Sequence, residues 1–161
     1  MKNKFLLLVV TLGFGLNVAA QEISKNAIGL RIGDNDGFGG EISFQRALGN
    51  NNRLELDLGI RSGNNYDGFK LTGLYQWVWQ LEGDFNWYAG AGGGIGNYSY
   101  ELPTPLKDES ETFLFAAGNV GIEYNFDIPI QLSLDVRPEI GFGDFRNDLD
   151  FDLALGVRYR F

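Results

Sequence analysis

Residues 149–161, at the end of the chain, read LDFDLALGVRYRF, and apolar and polar positions alternate almost throughout. One face carries Phe151, Leu153, Leu155, Val157, Tyr159 and Phe161, and the other carries Asp150, Asp152, Ala154, Gly156, Arg158 and Arg160. A period of two residues predicts a β-strand with one apolar and one polar face. Soluble strands typically have about 5–6 residues, whereas a tilted strand that crosses a membrane needs roughly 9–11. This stretch therefore predicts a membrane-spanning strand.

The same alternation recurs upstream, and no segment after residue 20 shows a helical period over ten or more positions. The predicted strands are 27–33, 38–46, 53–61, 69–81, 85–98, 112–126, 130–143 and 149–161. Eight amphipathic strands joined by turns predict an all-β fold, a closed eight-stranded antiparallel up-and-down transmembrane β-barrel.

The connections between these strands fall into two sets. Outer-membrane barrels keep their periplasmic turns short and their extracellular loops longer. The longest connection, 101–111, belongs to the set that would lie outside the cell, and it is a candidate contact site for an unknown surface ligand. The outer set comprises 34–37, 62–68, 101–111 and 144–148, and the inner set comprises 47–52, 82–84 and 127–129.

Residues 1–20 have the layout of a secretory signal peptide, with two lysines, an apolar run over 5–16 and small residues up to Ala20. The apolar run has about 12 residues, fewer than the ~20 that a membrane-spanning helix needs. We therefore expect export and cleavage after Ala20, leaving 21–161 as one barrel domain. Cleavage would leave 11 basic residues against 21 acidic ones, a net charge of −10.

Aromatic side chains cluster toward the two ends of the predicted apolar faces. Such girdles are typical of membrane barrels, because amphipathic rings settle at the depth of the lipid headgroups. Toward the opposite ends lie Phe38, Phe69, Phe142 and Phe151, with Phe113 out of phase with its strand. The girdle predicted at the periplasmic end comprises Trp77, Trp79, Trp87, Tyr124, Phe126 and Tyr159.

The polar faces carry charged side chains of both signs in similar numbers. A solvated face on a chain at −10 has no reason to approach neutrality, whereas an enclosed lumen does, because buried ions are costly unless they are paired. The polar faces hold Arg31, Glu41, Arg53, Glu55, Asp57, Arg61, Lys70, Glu123, Asp135, Arg137, Glu139, Asp150, Asp152, Arg158 and Arg160. The predicted polar network of the lumen comprises all of these except Arg53 and Lys70.

Close to the end of the sequence, Gly156 is followed by aromatics at the third-last and last positions, Tyr159 and Phe161. This ending resembles the carboxy-terminal signature that the barrel assembly machinery reads in outer-membrane barrels, although Ala154 stands where that pattern often has a polar residue. With the leader and the alternation, the chain resembles the small eight-stranded OmpA/OmpX-type barrels, also called porin-like outer-membrane β-barrel domains. The resemblance implies location in the bacterial outer membrane, in contact with its lipid, and the assembly machinery as a partner during biogenesis.

The sequence contains no histidine and no cysteine, which excludes Ser-His-Asp and Cys-His catalysis and histidine or thiolate metal sites. Barrel enzymes of the resembled class rely on histidine, so we expect no enzymatic activity; we also expect no cofactor and no metal site. The acidic balance argues against binding to nucleic acid. Whether the acidic outer loops bind divalent cations is left open.

The run 90–96, GAGGGIG, lacks the lysine-containing ending of a phosphate-binding loop. Its alternate glycines are expected to face inward and to make room for bulky lumen side chains from other strands. A narrow gap along that wall, which would pass water or small ions, stays open as an alternative.

The favoured hypothesis is an integral outer-membrane barrel with a mostly plugged polar lumen and a structural or surface-interaction role. The first alternative is a narrow porin-like channel for small cationic solutes. The second is a soluble periplasmic barrel of the lipocalin type that binds a ligand inside.

Overall fold

The computed structural model describes residues 23–33, 39–62, 66–100, 109–142 and 148–161. Eight strands account for nearly all of these residues. In chain order they are β1 (Asn26–Gly33), β2 (Gly40–Ala47), β3 (Asn52–Ser62), β4 (Tyr66–Glu82), β5 (Phe85–Tyr100), β6 (Glu109–Asn125), β7 (Ile130–Phe142) and β8 (Leu149–Arg160).

Every strand pairs antiparallel with the next along the chain, and β8 pairs with β1. At this seam Leu30 lies opposite Val157, and the backbone groups of Asn26 and Phe161 exchange two hydrogen bonds of 3.0 and 2.9 Å. The sheet is therefore a closed barrel without a free edge. The predicted fold, a closed eight-stranded antiparallel barrel, is confirmed.

Alternate residues of each strand face the lumen or the exterior, as the period of two requires. In β7, Gln131, Ser133 and Asp135 are buried, while the intervening Leu132 and Leu134 are exposed. The apolar face thus lies outside and the polar face lies inside, the reverse of an ordinary soluble barrel. The described residues contain no helix long and apolar enough to cross a bilayer.

Three strands extend by two or three residues beyond a predicted boundary. β4 begins at Tyr66 instead of residue 69, and β6 begins at Glu109 instead of residue 112, so that β4, β5 and β6 have 17, 16 and 17 residues. The prediction stopped where apolar alternation stops, but backbone pairing continues beyond it. In these extensions the outward-facing side chains form a polar row across four strands. Ser62 of β3 is paired with Asp67 of β4, Asp67 with Ser99 of β5, and Ser99 with Ser110 of β6.

The turn between β4 and β5 contains a left-handed glycine and a hydrogen bond from a side chain to the backbone. Gly83 has φ of 54°, a left-handed conformation that glycine adopts without the steric cost of a Cβ. The Gln80 side-chain amide donates a 2.9 Å hydrogen bond to the Gly83 carbonyl. The predicted inner turn 82–84 is accordingly tight.

Several predictions concern residues outside those described. They are the signal peptide 1–20, Phe38 of the second aromatic band, loops 34–37 and 144–148 in whole or large part, and positions 101–108 of loop 101–111. At the other end of that loop, the structure assigns residues 109–111 to β6.

Candidate functional site

The lumen is the place where the charged side chains of the barrel converge. Ten of the thirteen side chains predicted for its polar network are buried: Arg31, Glu41, Glu55, Asp57, Glu123, Asp135, Arg137, Glu139, Asp152 and Arg158. The other three, Arg61, Asp150 and Arg160, are half-buried and lie near the strand ends.

Arg31 on β1 binds three carboxylates from three different strands. Its Nη2 lies 2.6 Å from Asp135 of β7, and its Nη1 lies 3.0 Å from Glu41 of β2 and also pairs with Asp152 of β8. Tyr88 of β5 donates a 3.2 Å hydrogen bond to the same Asp135. A single guanidinium therefore links β1, β2, β7 and β8, and its fixed fork of donors suits several acceptors at once.

Arg137 of β7 reaches across the lumen to the opposite wall. Its Nη1 lies 3.0 Å from Glu41 and its Nη2 pairs with Asp57 of β3. Arg158 of β8 lies 3.1 Å from Glu55 of β3. These three arginines and the five carboxylates that they bind connect both sides of the barrel, and we call them the lumen cluster. Its members are Arg31, Arg137, Arg158, Glu41, Glu55, Asp57, Asp135 and Asp152.

Two further ion pairs involve the basic residues that the prediction omitted. Arg53 Nη1 lies 2.7 Å from Glu123, and Lys70 Nζ lies 2.7 Å from Glu139. Both basic side chains are buried. Arg53 and Lys70 occupy the inward phase of β3 and β4 together with other network residues, in agreement with their place on the predicted polar faces.

Arg160 makes a different contact from the one expected. Its Nη2 donates hydrogen bonds of 2.5 and 3.0 Å to the backbone carbonyls of Phe126 and Ile128. The guanidinium thus satisfies carbonyl groups at the β6–β7 turn, near the end of the lumen. The alternation of the sequence places Arg160 on the polar face. It does not show that Arg160 lies close enough to the β6–β7 turn for its side chain to bind the turn carbonyls.

Uncharged polar side chains complete the network, and sequence reasoning did not single them out. Arg158 donates hydrogen bonds of 2.9 and 2.7 Å to the hydroxyls of Ser43 and Ser133, and Gln45 hydrogen-bonds to Glu55. Arg53 Nε donates a 2.6 Å bond to Gln76. The sequence could have indicated these residues, because each is an even number of positions from a charged, inward-facing residue of its own strand.

A second part of the lumen is apolar, which the sequence did not predict. Leu74, Phe113, Phe115 and Ala117 form a buried cluster, and the ring of Tyr98 stacks on Phe113 with centroids 5.6 Å apart. These residues belong to β4, β5 and β6. Phe113 and Phe115 share the inward phase of β6. Phe113, which is out of phase with a lipid-facing girdle, therefore fills the interior together with Phe115.

The glycine run of β5 accommodates these two rings. A Cβ at Gly96 would overlap the Phe113 ring, and one at Gly94 would lie 2.5 Å from Phe115 Cζ. Real Cβ atoms do not approach other atoms so closely, so both glycines are needed where the rings lie. The packing interpretation of the glycine run fits these contacts.

A small polar cavity lies at the end of the lumen near Ile23 and Arg160. It has a volume of about 20 Å³, and Gln45, Arg53, Asn86 and Glu123 are among its lining residues. A space of this size holds roughly one water molecule.

The outer surface at the same end is aromatic. Trp79 and Trp87 stack with ring centroids 4.3 Å apart, and Phe85 and Tyr124 lie 4.6 Å apart on the neighbouring strands. All six predicted girdle residues point away from the lumen: Trp77, Trp79, Trp87, Tyr124, Phe126 and Tyr159.

The carboxy-terminal residues of the predicted signature occupy both faces of β8. Gly156 faces inward, where a Cβ would lie 2.6 Å from Arg158 Nη1, so its small size leaves space for that guanidinium. Tyr159 and Phe161 are exposed, with ring centroids 6.3 Å apart. Within the described residues no group of three or more His, Cys, Asp or Glu side chains is arranged to hold a metal ion.

No protein-family model and no curated protein sequence matches this chain. Solved structures do match. The N-terminal β-barrel domain of Pseudomonas aeruginosa OprF has a TM-score of 0.66 at 14% identity over 88% of this chain and 100% of that one. Neisserial surface protein A (NspA) has a TM-score of 0.58 at 16% identity over 84% and 94% of the two chains. The chain therefore has the fold of the small eight-stranded outer-membrane β-barrels.

Proposed function

We propose that this protein is an integral outer-membrane barrel with a closed lumen and a structural or surface-interaction role, without catalytic activity. The observation that carries the proposal is the reversed polarity of the barrel. Buried arginines and carboxylates fill the interior, while leucine, isoleucine, phenylalanine and tryptophan side chains are exposed around the outside.

The apolar exterior supports a lipid environment. Monomeric soluble proteins rarely expose contiguous apolar patches larger than a few hundred Å². Here, exposed large apolar side chains occur on the outer face of every strand. A lipocalin-type barrel would bury apolar side chains around a ligand cavity, whereas this interior contains three arginines that are fully buried among carboxylates.

The packed interior supports a closed lumen. Arg137 and Lys70 each pair with a carboxylate on another wall, and Phe113 and Phe115 occupy the space above the glycine run. An eight-stranded barrel has an interior that side chains can just fill. Ions could pass only if these contacts were to open together.

Planar-bilayer recording of the refolded mature chain, residues 21–161, tests the closed lumen. We expect no steady conductance above that of the bare bilayer. A Phe113→Ala/Phe115→Ala double variant, which removes both rings but keeps the ion pairs across the lumen, should stay closed as well, and a general porin recorded in the same bilayers is the positive control. Steady openings in the unsubstituted chain would instead establish the channel alternative.

Cell fractionation tests the location and topology. We expect the protein in the outer-membrane fraction after carbonate extraction, with its amino terminus beginning at Gln21. Loop 101–111 contains Lys107, so trypsin added to intact cells should cleave there. Release into the soluble periplasmic fraction, without detergent, would contradict membrane integration.

A further inference from the structure

The outer surface of the barrel changes from apolar to polar near the ends of β3, β4 and β5 that lead to the predicted outer loops. Ile60 of β3 and Phe69 of β4 lie opposite each other, and both side chains are exposed. Two residues closer to the strand ends, Ser62 and Asp67 form the next outward-facing pair of the same ladder. The apolar surface that we assign to the bilayer therefore ends between these two pairs.

An open groove lies across this boundary. It has a volume of about 350 Å³, within the range of about 300–1,000 Å³ that is usual for small-molecule sites. Ile60 and Phe69 belong to its apolar lining. Its polar lining includes Ser62, Asp67, Asn97 and Ser99. The groove thus fits an amphiphile whose apolar part lies toward the bilayer and whose polar part lies toward the water.

The side-chain hydrogens of this polar lining are already used within the protein. Ser62 Oγ donates a 2.5 Å hydrogen bond to Asp67 Oδ1, and Ser99 Oγ donates a 3.2 Å hydrogen bond to Asn97 Oδ1. The Asn97 amide nitrogen donates to two hydroxyls of β6, at 3.0 and 2.9 Å. A hydroxyl carries one hydrogen, an amide nitrogen carries two and a carboxylate carries none. These four side chains therefore offer a ligand acceptor oxygens.

The acceptors are spread over three strands, and this spread selects the ligand. Ser62, Asp67 and Ser99 are successive register partners on β3, β4 and β5, and neighbouring strands lie about 4.8 Å apart. A ligand that reaches all three needs several donors on one framework. Phosphate oxygens only accept, and an ammonium group is a single compact donor. Arg61 also lines the groove, and its charge offsets that of Asp67, which favours an uncharged ligand.

We propose that this groove binds one lipid with an uncharged saccharide headgroup. The sugar hydroxyls donate hydrogen bonds to Ser62, Asp67 and Ser99. The acyl chain of the lipid lies against Ile60 and Phe69. Hydrogen bonds to an ionised group are stronger than those between neutral groups, so Asp67 contributes most to the choice of headgroup. The proposal rests on the integral outer-membrane barrel of the proposed function, because the groove meets lipid only when the barrel lies in a bilayer.

The experiment follows thermal unfolding of the refolded mature chain in micelles of an uncharged detergent without sugar groups. The probes are monogalactosyl diacylglycerol, plain diacylglycerol, phosphatidylglycerol and phosphatidylethanolamine, with the same acyl chains and at equal mole fraction. The galactolipid should raise the unfolding midpoint by a few degrees above that with diacylglycerol, because it binds the folded state. The rise should increase with the logarithm of its mole fraction. The two phospholipids should have the same effect as diacylglycerol.

The variants test the residues that accept from the sugar. Asp67→Ala should abolish the galactolipid response, and Ser99→Ala, which removes one acceptor, should reduce it. Asp127→Ala is the matched control, because Asp127 is exposed in the β6–β7 turn at the opposite end of the barrel, and it should retain the response. Equal midpoints with all four lipids, or a galactolipid response that persists in Asp67→Ala, would overturn the site.

Two further outcomes identify what has failed. A response to phosphatidylethanolamine that Asp67→Ala abolishes would assign the groove to an ammonium headgroup and overturn the saccharide proposal. Flotation of the same chain with liposomes, followed by carbonate extraction, separates the site from the proposed function. A chain that stays in the liposomes without a galactolipid response lacks the site alone, whereas a chain that does not insert contradicts the membrane barrel as well.

Discussion

The ammonium group of Lys70 on β4 lies 2.7 Å from both carboxylate oxygens of Glu139 on β7. These strands are separated by β5 and β6, so the pair bridges walls that share no backbone hydrogen bonds. Lys70 Nζ also lies 5.1 Å from the centre of the Phe115 ring. The pair thus joins the charged part of the lumen to its apolar part.

Breaking this pair on one side should destabilise the barrel strongly. Glu139→Gln leaves the buried Lys70 charge without this carboxylate, and such a loss typically costs about 3–5 kcal/mol. The Lys70→Met/Glu139→Gln double variant removes both charges and should be more stable than Glu139→Gln alone. Urea unfolding in micelles, followed by tryptophan fluorescence, measures the difference, and Lys25→Met at an exposed position is the control. A double variant less stable than the single one would contradict the pairing.

The packing of Gly96 against Phe113 predicts a compensating substitution. The three atoms nearest to a Cβ at Gly96 all belong to the Phe113 ring, so Gly96→Ala should impair refolding, and Gly96→Ala/Phe113→Leu should restore much of it. At Gly94 a Cβ also overlaps the backbone carbonyl of Leu71, which cannot move aside as easily. Gly94→Ala/Phe115→Leu should therefore recover less. The fraction refolded is read from gel mobility with and without heating, and equal recovery of both double variants would refute this explanation.

A charge on the outer surface should act differently at two equally exposed positions. Leu155 is 61% exposed in the middle of β8, and Ile128 is 60% exposed in the β6–β7 turn. Arginine on the lipid face near the bilayer midplane costs about 2–4 kcal/mol, and near the interface about 0–1. Leu155→Arg should thus destabilise the protein in liposomes while Ile128→Arg has little effect. Similar stabilities of the two variants would argue for a water-exposed surface.

Two alterations of the last residue separate assembly from stability. Phe161 closes the β1–β8 seam through two backbone hydrogen bonds with Asn26. Phe161→Ala keeps these bonds but removes the terminal ring, so it should refold normally in vitro and accumulate poorly in the outer membrane of cells. Deletion of Phe161 removes the bonds as well and should also slow refolding in vitro. Normal cellular accumulation of Phe161→Ala would show that the terminal ring is not read during assembly.

The barrel itself could be predicted from the sequence, because strand phase assigns each residue to one of two faces. In β8 this assignment holds from Asp152 to Tyr159. The partners inside the lumen could not be predicted in the same way. Arg31 and Asp135 are 104 residues apart, and only the register of the closed barrel brings them together.

The apolar part of the lumen was missed for a related reason. Aromatic residues on a membrane barrel are expected outside, yet Phe113 and Phe115 face inward because β5 offers glycines opposite them. The pairing of Gly96 with Phe113 and of Gly94 with Phe115 depends on the β5–β6 register. If that register had been known, a bulky residue paired with a glycine on the next strand would have predicted a ring packed inside the lumen.

Tryptophan quenching in liposomes tests the lipid-facing exterior most directly. The chain has three tryptophans, Trp77, Trp79 and Trp87, and all three point outward. Phospholipids brominated on the acyl chain near the headgroup should quench most of the fluorescence, while iodide in the aqueous phase should quench little of it. Efficient quenching by iodide, with none by brominated lipid, would contradict a barrel whose apolar surface lies in the bilayer.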